Sequence, residues 1–342
     1  MKKKSLNAQK INHKYLRKLL NQNQVKLIFN KFEKQLNTQQ SYLVAISGGP
    51  DSLALAFLSK CFQLKYNTKF YYYIVDHNLR VNSSKEAVKA SKILKKINIK
   101  CRILKWRGSK PSSNIQAIAR HYRYALLEKQ CVQTKSTNIL LGRQKEDLYE
   151  NFFIRMIRGS GLKGLISLEK KTTIDSINLI RPLLDFEKKN LEFISNHVYN
   201  FYIKDPSNEN TDFKRVKIRK IIEEFKMSGL EKDKLFLTLK NLKSSNNVIK
   251  FYTEQNKKLN STLDKKTNKL FLNKIFFNQP HEVVFRSFSD SLKIISGRYF
   301  SPRGKKIDNI LQMIKKDALK KETLAGCIVK KVNQTVIISK EY

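Results

Sequence analysis

From residue 41 onward, short apolar runs alternate with segments of helical period. The runs are Tyr42–Ile46, Phe70–Val75, Ile99–Trp106, Asn138–Gly142 and Ile177–Leu184. Between the first two, Leu53 to Leu58 run without a polar break, which predicts a helix over 51–62 buried against a sheet. The next segment opens with Ser83-x-x-Glu86, a capping-box spacing, and sets Ala87, Ala90, Ile93, Leu94 and Ile97 on one face. A third helix is predicted over 114–131, with Ile115, Ile118, Ala119, Tyr122 and Leu126 inward and Gln116, Arg120 and Arg123 on the other face. A fourth begins near Glu146 and ends at Gly159, Gly161 and Gly164. Strands alternating with helices predict an α/β fold, an open parallel sheet flanked by helices.

The ends of the chain have a different texture. Residues 1–40 read as a basic helical lead-in with Leu16, Leu19 and Leu20 at helical spacing. After about residue 216 the alternation stops. Residues 216–260 look helical and basic, and two strands, Gly326–Lys331 and Gln334–Lys340, close the chain around a turn at Val332–Asn333. The expected organisation is a lead-in (1–40), an α/β domain (41–215) and a smaller, mainly helical C-terminal domain (216–342).

Composition narrows the function. The 342 residues carry 69 Lys and Arg against 28 Asp and Glu, a net charge of +41, with 41% hydrophobic residues. That apolar share supports a packed core, and that charge expects a polyanion, nucleic acid before an anionic membrane surface. Drift toward AT-rich codons accounts for part of the magnitude, since Lys greatly outnumbers Arg. No run of about 18 apolar residues occurs, and the basic start has no apolar stretch behind it to act as a secretory signal. Cys61, Cys101, Cys131 and Cys327 are scattered without a CxxC pair, which argues against a disulfide framework and against zinc or iron–sulfur binding. The expectation is a cytoplasmic protein with no membrane association and no obligatory protein partner.

The sharpest local signal is Ser47-Gly48-Gly49-Pro50-Asp51-Ser52, directly after the first strand and before the first buried helix. Two glycines allow close backbone approach, and amides at a helix start attract anions. Asp51 would repel phosphates unless a cation lay between them, which points to Mg²⁺. The nucleotide signatures GxxxxGK[ST] and GxGxxG are both absent. A strand-to-helix turn can also hold these residue types with no ligand.

SGGxDS in this context resembles the PP-loop of the ATP pyrophosphatase superfamily, whose members split ATP to AMP and pyrophosphate while adenylating a carbonyl-type oxygen. Further stretches narrow the branch: Val75-Asp76-His77-Asn78-Leu79-Arg80; Gln116-Ala117-Ile118-Ala119-Arg120-x-x-Arg123-Tyr124; Glu146-Asp147-x-x-Glu150 before Arg158-Gly159-Ser160-Gly161-Leu162-Lys163-Gly164; and Arg181-Pro182-Leu183-Leu184 leading to Asp205-Pro206-Ser207-Asn208, Phe213-x-Arg215 and Ile218-Arg219. In this order they look like the tRNA(Ile)-lysidine synthetase family over residues 41–219. The tail, Arg298–Arg303 with Thr323–Cys327, is similar to that family's first C-terminal domain. No stretch resembles its second, so the chain looks like a shortened member.

The resemblance implies ATP as substrate with Mg²⁺, bound at Ser47, Gly48, Gly49, Pro50, Asp51, Ser52, Asp76 and His77. It implies ligation of free lysine to the wobble cytidine of the isoleucine tRNA with anticodon CAU. Asp51, Arg120, Asp147 and Glu150 are the expected catalytic residues, and Asp51 and Asp147 the expected metal ligands. The family's HHxDDxxET stretch reads Arg143-Gln144-Lys145-Glu146-Asp147-Leu148-Tyr149-Glu150-Asn151 here, with both histidines gone.

The residues also carry readings of their own. Ser47, Asp76 and Arg143 fall at the carboxyl ends of strands, where open sheets bind ligands, although Asp76 is equally suited to forming a turn. Asp147 and Glu150 share one helical face, and an acidic first turn also suits the helix dipole. Arg120 and Arg123 can clamp phosphate or simply face solvent. Arg123, Arg158, Lys163, Arg215 and Arg219, with Lys214 and Lys217 beside them, are basic edges suited to an RNA backbone or to water. Two other classes remain open: a tRNA thiolase, for which the cysteines are isolated, and a non-catalytic RNA-binding relative.

Overall fold

The computed structural model describes residues 14–79, 82–108, 115–174, 176–203, 214–298 and 302–341. Asp205–Asn208, Phe213, Arg80 and Tyr299–Ser301, all singled out in the sequence, lie outside the described residues, as does the side chain of Gln116. The chain divides into two compact units, one up to Lys232 and one from Asp233.

The first unit is built on a six-stranded sheet. Its strands are β1 (Tyr42–Ile46), β2 (Phe70–Asp76), β3 (Cys101–Lys105), β4 (Asn138–Leu141), β5 (Lys171–Ile174) and β6 (Ile177–Ile180), in the order β3-β2-β1-β4-β6-β5. All neighbours pair in parallel except β5, which runs antiparallel to β6. Because β1 lies between β2 and β4, successive connections leave on opposite sides of it, and the crevice beyond the β1 and β4 carboxyl ends is the topological switch point.

Helices packed with this sheet include α1 (Asn23–Glu33), α2 (Pro50–Tyr66), α3 (Ser83–Lys95), α4 (Ile115–Thr134), α5 (Lys145–Met156), α6 (Leu162–Leu165) and α7 (Lys188–Tyr199). Side chains alternate across the strands. Val44 and Ile46 join Phe32 of α1, Phe57 and Leu58 of α2, Leu94 of α3 and Ile194 of α7 in one core. Leu43, Ile139, Leu141 and Leu179 meet Leu127 and Cys131 of α4 on the other face. Helix α2 is buried nearly all round, as Leu53 to Leu58 demand, and opens with Pro at its first position.

Several expectations are corrected. The Ser83-x-x-Glu86 box does not form: α3 has no side-chain cap, because the Ser83 hydroxyl donates to Asp76 instead. On α4 the inward face is Ala119, Leu127 and Cys131, while Ile115 and Tyr122 are exposed. Tyr122 packs against Trp106 with ring centroids 4.8 Å apart. The lead-in is not peripheral, since Leu16, Leu19 and the α1 residues Val25, Ile28, Phe29 and Phe32 belong to the main core. The texture change near 216 is not the division between units. Helix α8 (Lys214–Met227) carries Arg219, which pairs with Glu150 of α5, and Phe225, which stacks on Phe153 at 5.6 Å.

In the second unit, a 29-residue helix α9 (Lys232–Asn260) is followed by β7 (Ser261–Asp264), β8 (Lys269–Leu272), α10 (Lys274–Phe277), α11 (His281–Ser296), α12 (Gly304–Lys315), β9 (Lys321–Leu324), β10 (Cys327–Val332) and β11 (Thr335–Lys340). The strands form an antiparallel sheet in the order β7-β8-β11-β10-β9, so the helices cover a sheet of which the sequence showed only the last hairpin. Phe288 and Leu292 of α11 and Ile307 and Leu311 of α12 pack on Leu272, Val329 and Ile338. A buried polar seam ties α9 to α11, with Arg286 Nη1 donating to Asn246 Oδ1 at 2.6 Å and Asn256 Nδ2 to Ser287 Oγ at 3.2 Å. Among the described residues no helix is long and apolar enough to cross a membrane.

Candidate active site

The loop between β1 and α2 takes its shape from one hydroxyl. Ser52 Oγ accepts from the amides of Ser47 and Gly48, each at 3.1 Å, and donates to the Gly49 carbonyl at 2.9 Å. The Ser47 hydroxyl lies 3.2 Å from the same oxygen. Ser52 is therefore internal to the loop, not an extra donor facing outward, and Ser47 and Gly48 do not offer free amides. The open donors are the amides of Gly49, Asp51 and Ser52, which have no acceptor among the described residues. This is where a helix start lacks intrahelical carbonyls. Gly48 sits at φ +85°, a left-handed conformation that glycine adopts without strain, and a Cβ there would come within 2.4 Å of Ile203 Cδ1. From the neighbouring strand, Gly142 closes on the start of α2; a Cβ there would meet Asp51 C, Ser52 N and Ser52 Cα at 3.1 Å each.

Asp51 is the anomaly that the sequence marked. Its Oδ1 is buried without a hydrogen-bond partner. Burial, reinforced by repulsion from Asp147, Glu192 and Glu146 and opposed by Lys188, pushes its pKa up to about 7. A carboxylate so placed gains by binding a cation. Among the described residues no cluster of three or more His, Cys, Asp or Glu side chains could hold a metal ion. A divalent ion at Asp51 would therefore take its other ligands from substrate oxygens and water, the usual mode for Mg²⁺.

At the end of β2, Asp76 and His77 part company. Asp76 accepts from the Asn78 amide at 3.0 Å and from the hydroxyls of Ser83 and Ser84, binding the turn to the start of α3. Burial alone would raise its pKa, but these hydrogen bonds hold it below the usual carboxylate range. The turn-forming reading accounts for its carboxylate. His77 Nε2 accepts from Arg123 Nε at 3.0 Å, which leaves the ring proton on Nδ1, a buried atom with no partner. Burial and the Arg123 charge push the His77 pKa down to about 4, so the ring is neutral at pH 7 and keeps one buried donor unsatisfied.

Arg123 belongs to a wider group. Arg120 and Arg143 each lie close enough to Arg123, Arg181 and Arg215 to depress their basicity, beside the burial that acts first on all three. The Arg120 guanidinium rests over the Tyr124 ring, 4.9 Å from its centre. Arg181, at the end of β6, is buried and donates through Nη1 to the Glu169 carbonyl and Thr172 Oγ1. Mutually repelling arginines, of which Arg143 and Arg181 follow strand ends, suit a bound phosphate.

The acidic face of α5 meets α8. Asp147 completes a capping box with Gln144: Oδ2 accepts from the Gln144 amide at 3.0 Å, and Gln144 Oε1 accepts from the Glu146 amide at 2.7 Å. Asp147 Oδ1 takes Arg143 Nη1 at 2.8 Å and has Arg215 Nη1 at 3.7 Å. With both oxygens engaged, Asp147 is less open to a cation than Asp51, whose Oδ1 has no partner. Glu150 is 4% exposed, with Oε1 bound by Arg219 and Oε2 buried without a partner. Burial, against the opposing Arg219 charge, raises its pKa. Arg215 and Arg219 thus neutralise carboxylates, whereas Arg158 and Lys163 are solvent-exposed.

The profile of the PP-loop domain family matches residues 17–225. A tRNA(Ile)-lysidine synthase of Rickettsia akari is 30% identical over 341 residues, covering 92% of this chain and 74% of that protein. The chain belongs to the tRNA(Ile)-lysidine synthase family. A synthase of Bradyrhizobium diazoefficiens is 31% identical over 222 residues, 64% of this chain and 62% of its own. The solved U34-tRNA thiolase NcsA of Methanococcus maripaludis, described with its [4Fe-4S] cluster, shares the fold at TM-score 0.56 and 16% identity, covering 66% of this chain and 80% of that one.

Thiol chemistry finds little purchase in this lysidine synthase relative. Cys61, Cys131 and Cys327 are buried. Burial raises the pKa of all four thiols, Cys101 to about 12 and Cys131 to about 11. The residues that motif reading left without a role, Gly142, Arg143, Tyr124 and Arg181, carry much of the site's shape and charge. The open-sheet rule, applied to Arg143 in the sequence, extends equally to Gly142 and Arg181, which also follow strand ends.

Proposed function

We propose that this chain uses ATP to join lysine to C2 of the wobble cytidine in the isoleucine tRNA with anticodon CAU. The observation that carries the reading is the loop after β1, where Gly48 at φ +85° and three open amides meet Asp51, whose Oδ1 is buried without a partner. An amide-like C2 oxygen is a poor leaving group. Its attack on the α-phosphorus forms an O–P bond and expels pyrophosphate, converting it into part of AMP. The open loop amides suit the departing phosphates. Arg120 and Arg123, with Arg143 and Arg181 behind them, suit the α-phosphate and the flanking RNA backbone, and His77 Nδ1–H offers one donor to the nucleotide. Mg²⁺ held by Asp51 would supply charge neutralisation between phosphate oxygens.

In the second step the lysine ε-amine bonds to C2, AMP leaves with the bonding electrons, and the nitrogen gives up a proton. A free lysine amine has a pKa of about 10.4, so the site must take that proton. Glu150, with a raised pKa and a free Oε2, suits the task better than Asp147. A single-stranded anticodon loop lets the cytidine enter a crevice at modest unstacking cost. The basic second unit is assigned to binding the tRNA, and the protein to the cytoplasm.

The test is mass spectrometry of nucleosides from isoleucine tRNA incubated with the protein, ATP and lysine, alongside pyrophosphate release. Lysidine formed only when all three are present supports the reading. Pyrophosphate turnover that continues without lysine beyond the single equivalent the first step releases, or modification without a lysine mass increment, would overturn it.

A further inference from the structure

Three groups from one short stretch of chain converge on the phosphate loop and the first turns of α2. Ser195 Oγ donates to the Pro50 carbonyl at 2.6 Å, Tyr199 Oη to the Leu53 carbonyl at 3.2 Å, and the Ile203 amide to the Gly48 carbonyl at 2.9 Å. Ser195 and Tyr199 stand one helical turn apart on α7, and Ser195 is fully buried. A serine inside a helix ordinarily bonds its own preceding turn; this one reaches across to another helix.

The carbonyls chosen matter. The Gly48 carbonyl belongs to the peptide whose N–H is that of Gly49, and the Pro50 carbonyl to the peptide whose N–H is that of Asp51. Both amides are without an acceptor among the described residues. A hydrogen bond accepted at a carbonyl oxygen fixes the peptide plane and strengthens the N–H at its other end. The Leu53 carbonyl instead belongs to the peptide of Ala54, inside α2, where the N–H faces the helix ladder.

We infer that Ser195 and the Ile203 amide are positioning groups for ATP. They hold and polarise the Pro50–Asp51 and Gly48–Gly49 peptides so that both amides face the phosphates, while Tyr199 serves packing alone. The inference rests on the phosphate-loop reading above.

The test compares Ser195→Ala, Tyr199→Phe and Ser195→Thr in the full chain. Ser195→Ala raises the KM for ATP about three- to tenfold, the span of one hydrogen bond's net worth, leaves the KM for lysine unchanged, and is rescued by Ser195→Thr. Tyr199→Phe lowers Tm without moving the KM for ATP. Equal effects of the alanine and phenylalanine variants on KM, or no effect of Ser195→Ala, overturn the inference. Amide NMR on the unmodified protein gives a readout independent of variant folding. Inorganic pyrophosphate should move the Gly49 and Asp51 protons downfield more than those of Ser47 and Gly48. If pyrophosphate moves other loop amides instead, the inference fails alone; if it moves none, the phosphate-loop reading fails with it.

Discussion

Arg219 Nε donates to Glu150 Oε1 at 2.5 Å, joining the last acidic residue of the α5 motif to a helix that begins 64 residues later in the chain. Arg219 is itself partly exposed, so the pair is not a closed core contact but the rim of the crevice. Removing the guanidinium leaves a buried carboxylate uncompensated, and protonation is its cheapest response. Arg219→Gln is expected to destabilise the fold by about 1–3 kcal/mol near neutral pH, with Glu150→Gln added to it restoring much of the loss. Activity of Arg219→Gln should also need higher pH, because its Glu150 ionises later. Thermal melts of the single and double variants and a pH–rate profile check both statements; additive losses in the double variant would show that the pair is not coupled.

The pH dependence of stability should carry the signature of Asp51. Its folded pKa of about 7 lies above the ordinary 3.8, so between about pH 4 and 7 the folded state holds a proton that the unfolded state has released. Stability contributed by that proton is present at low pH and is lost as pH rises through the folded value. Asp51→Asn removes the dependence. The variant is expected to melt higher than the parent at pH 8, by on the order of 1–3 kcal/mol, with a smaller gap at pH 5, while losing ATP-dependent turnover. Added Mg²⁺ should raise the parent's Tm at pH 8 and leave the variant's unmoved. A parent whose advantage grows with pH would contradict the buried-carboxylate account.

The two glycines of the loop separate folding from ligand approach. Gly48 needs its left-handed φ of +85° and the space beside Ile203, whereas Gly49 has φ −74° and ψ 166°, an extended conformation open to any residue. Gly48→Ala should cost about 1–3 kcal/mol of stability and most ATP binding. Gly49→Ala, whose Cβ would meet nothing nearer than Ser47 Oγ at 3.7 Å, should fold within about 0.5 kcal/mol of the parent yet raise the KM for ATP. Melting temperatures and ATP titrations of both variants decide the matter. An unaltered KM in Gly49→Ala would mean that phosphates do not approach that backbone.

The strand, loop and buried helix at 42–66 were legible because Leu53 to Leu58, apolar all round, must be buried and follow directly on an apolar strand. The edge strand β5 was not, since Lys-Thr-Thr-Ile alternates exposed and half-buried positions and offers no apolar run. The inward face of α4 was misjudged because burial of its first turn depends on what lies beyond the strand ends, which leaves Ile115 exposed. The place of the loop between β1 and α2 was legible, but not that Ser52 closes on Ser47 and Gly48, a three-dimensional fact with no spacing signature. Arg215 and Arg219 read as free basic edges because their acidic partners lie more than sixty residues upstream.

That distinction between committed and free cations yields a salt-dependence test. A net charge of +41 does not say which cations meet RNA, and lysine-rich coding inflates it. Each phosphate neutralised by a protein cation releases counterions, lowering the slope of log affinity against log salt by about 0.7–0.9. Arg158 is exposed on the glycine-rich turn after α5, and Arg219 already faces Glu150. Arg158→Ala should weaken tRNA binding and make the slope shallower by about one phosphate's worth. Arg219→Gln should leave the slope unchanged, since its charge is balanced before RNA arrives. Fluorescence anisotropy of labelled isoleucine tRNA over a salt series reads both. If the two variants shift the slope alike, the carboxylate pair opens on binding and Arg219 joins the RNA surface; if neither does, the contacts that carry the charge dependence lie elsewhere on the chain.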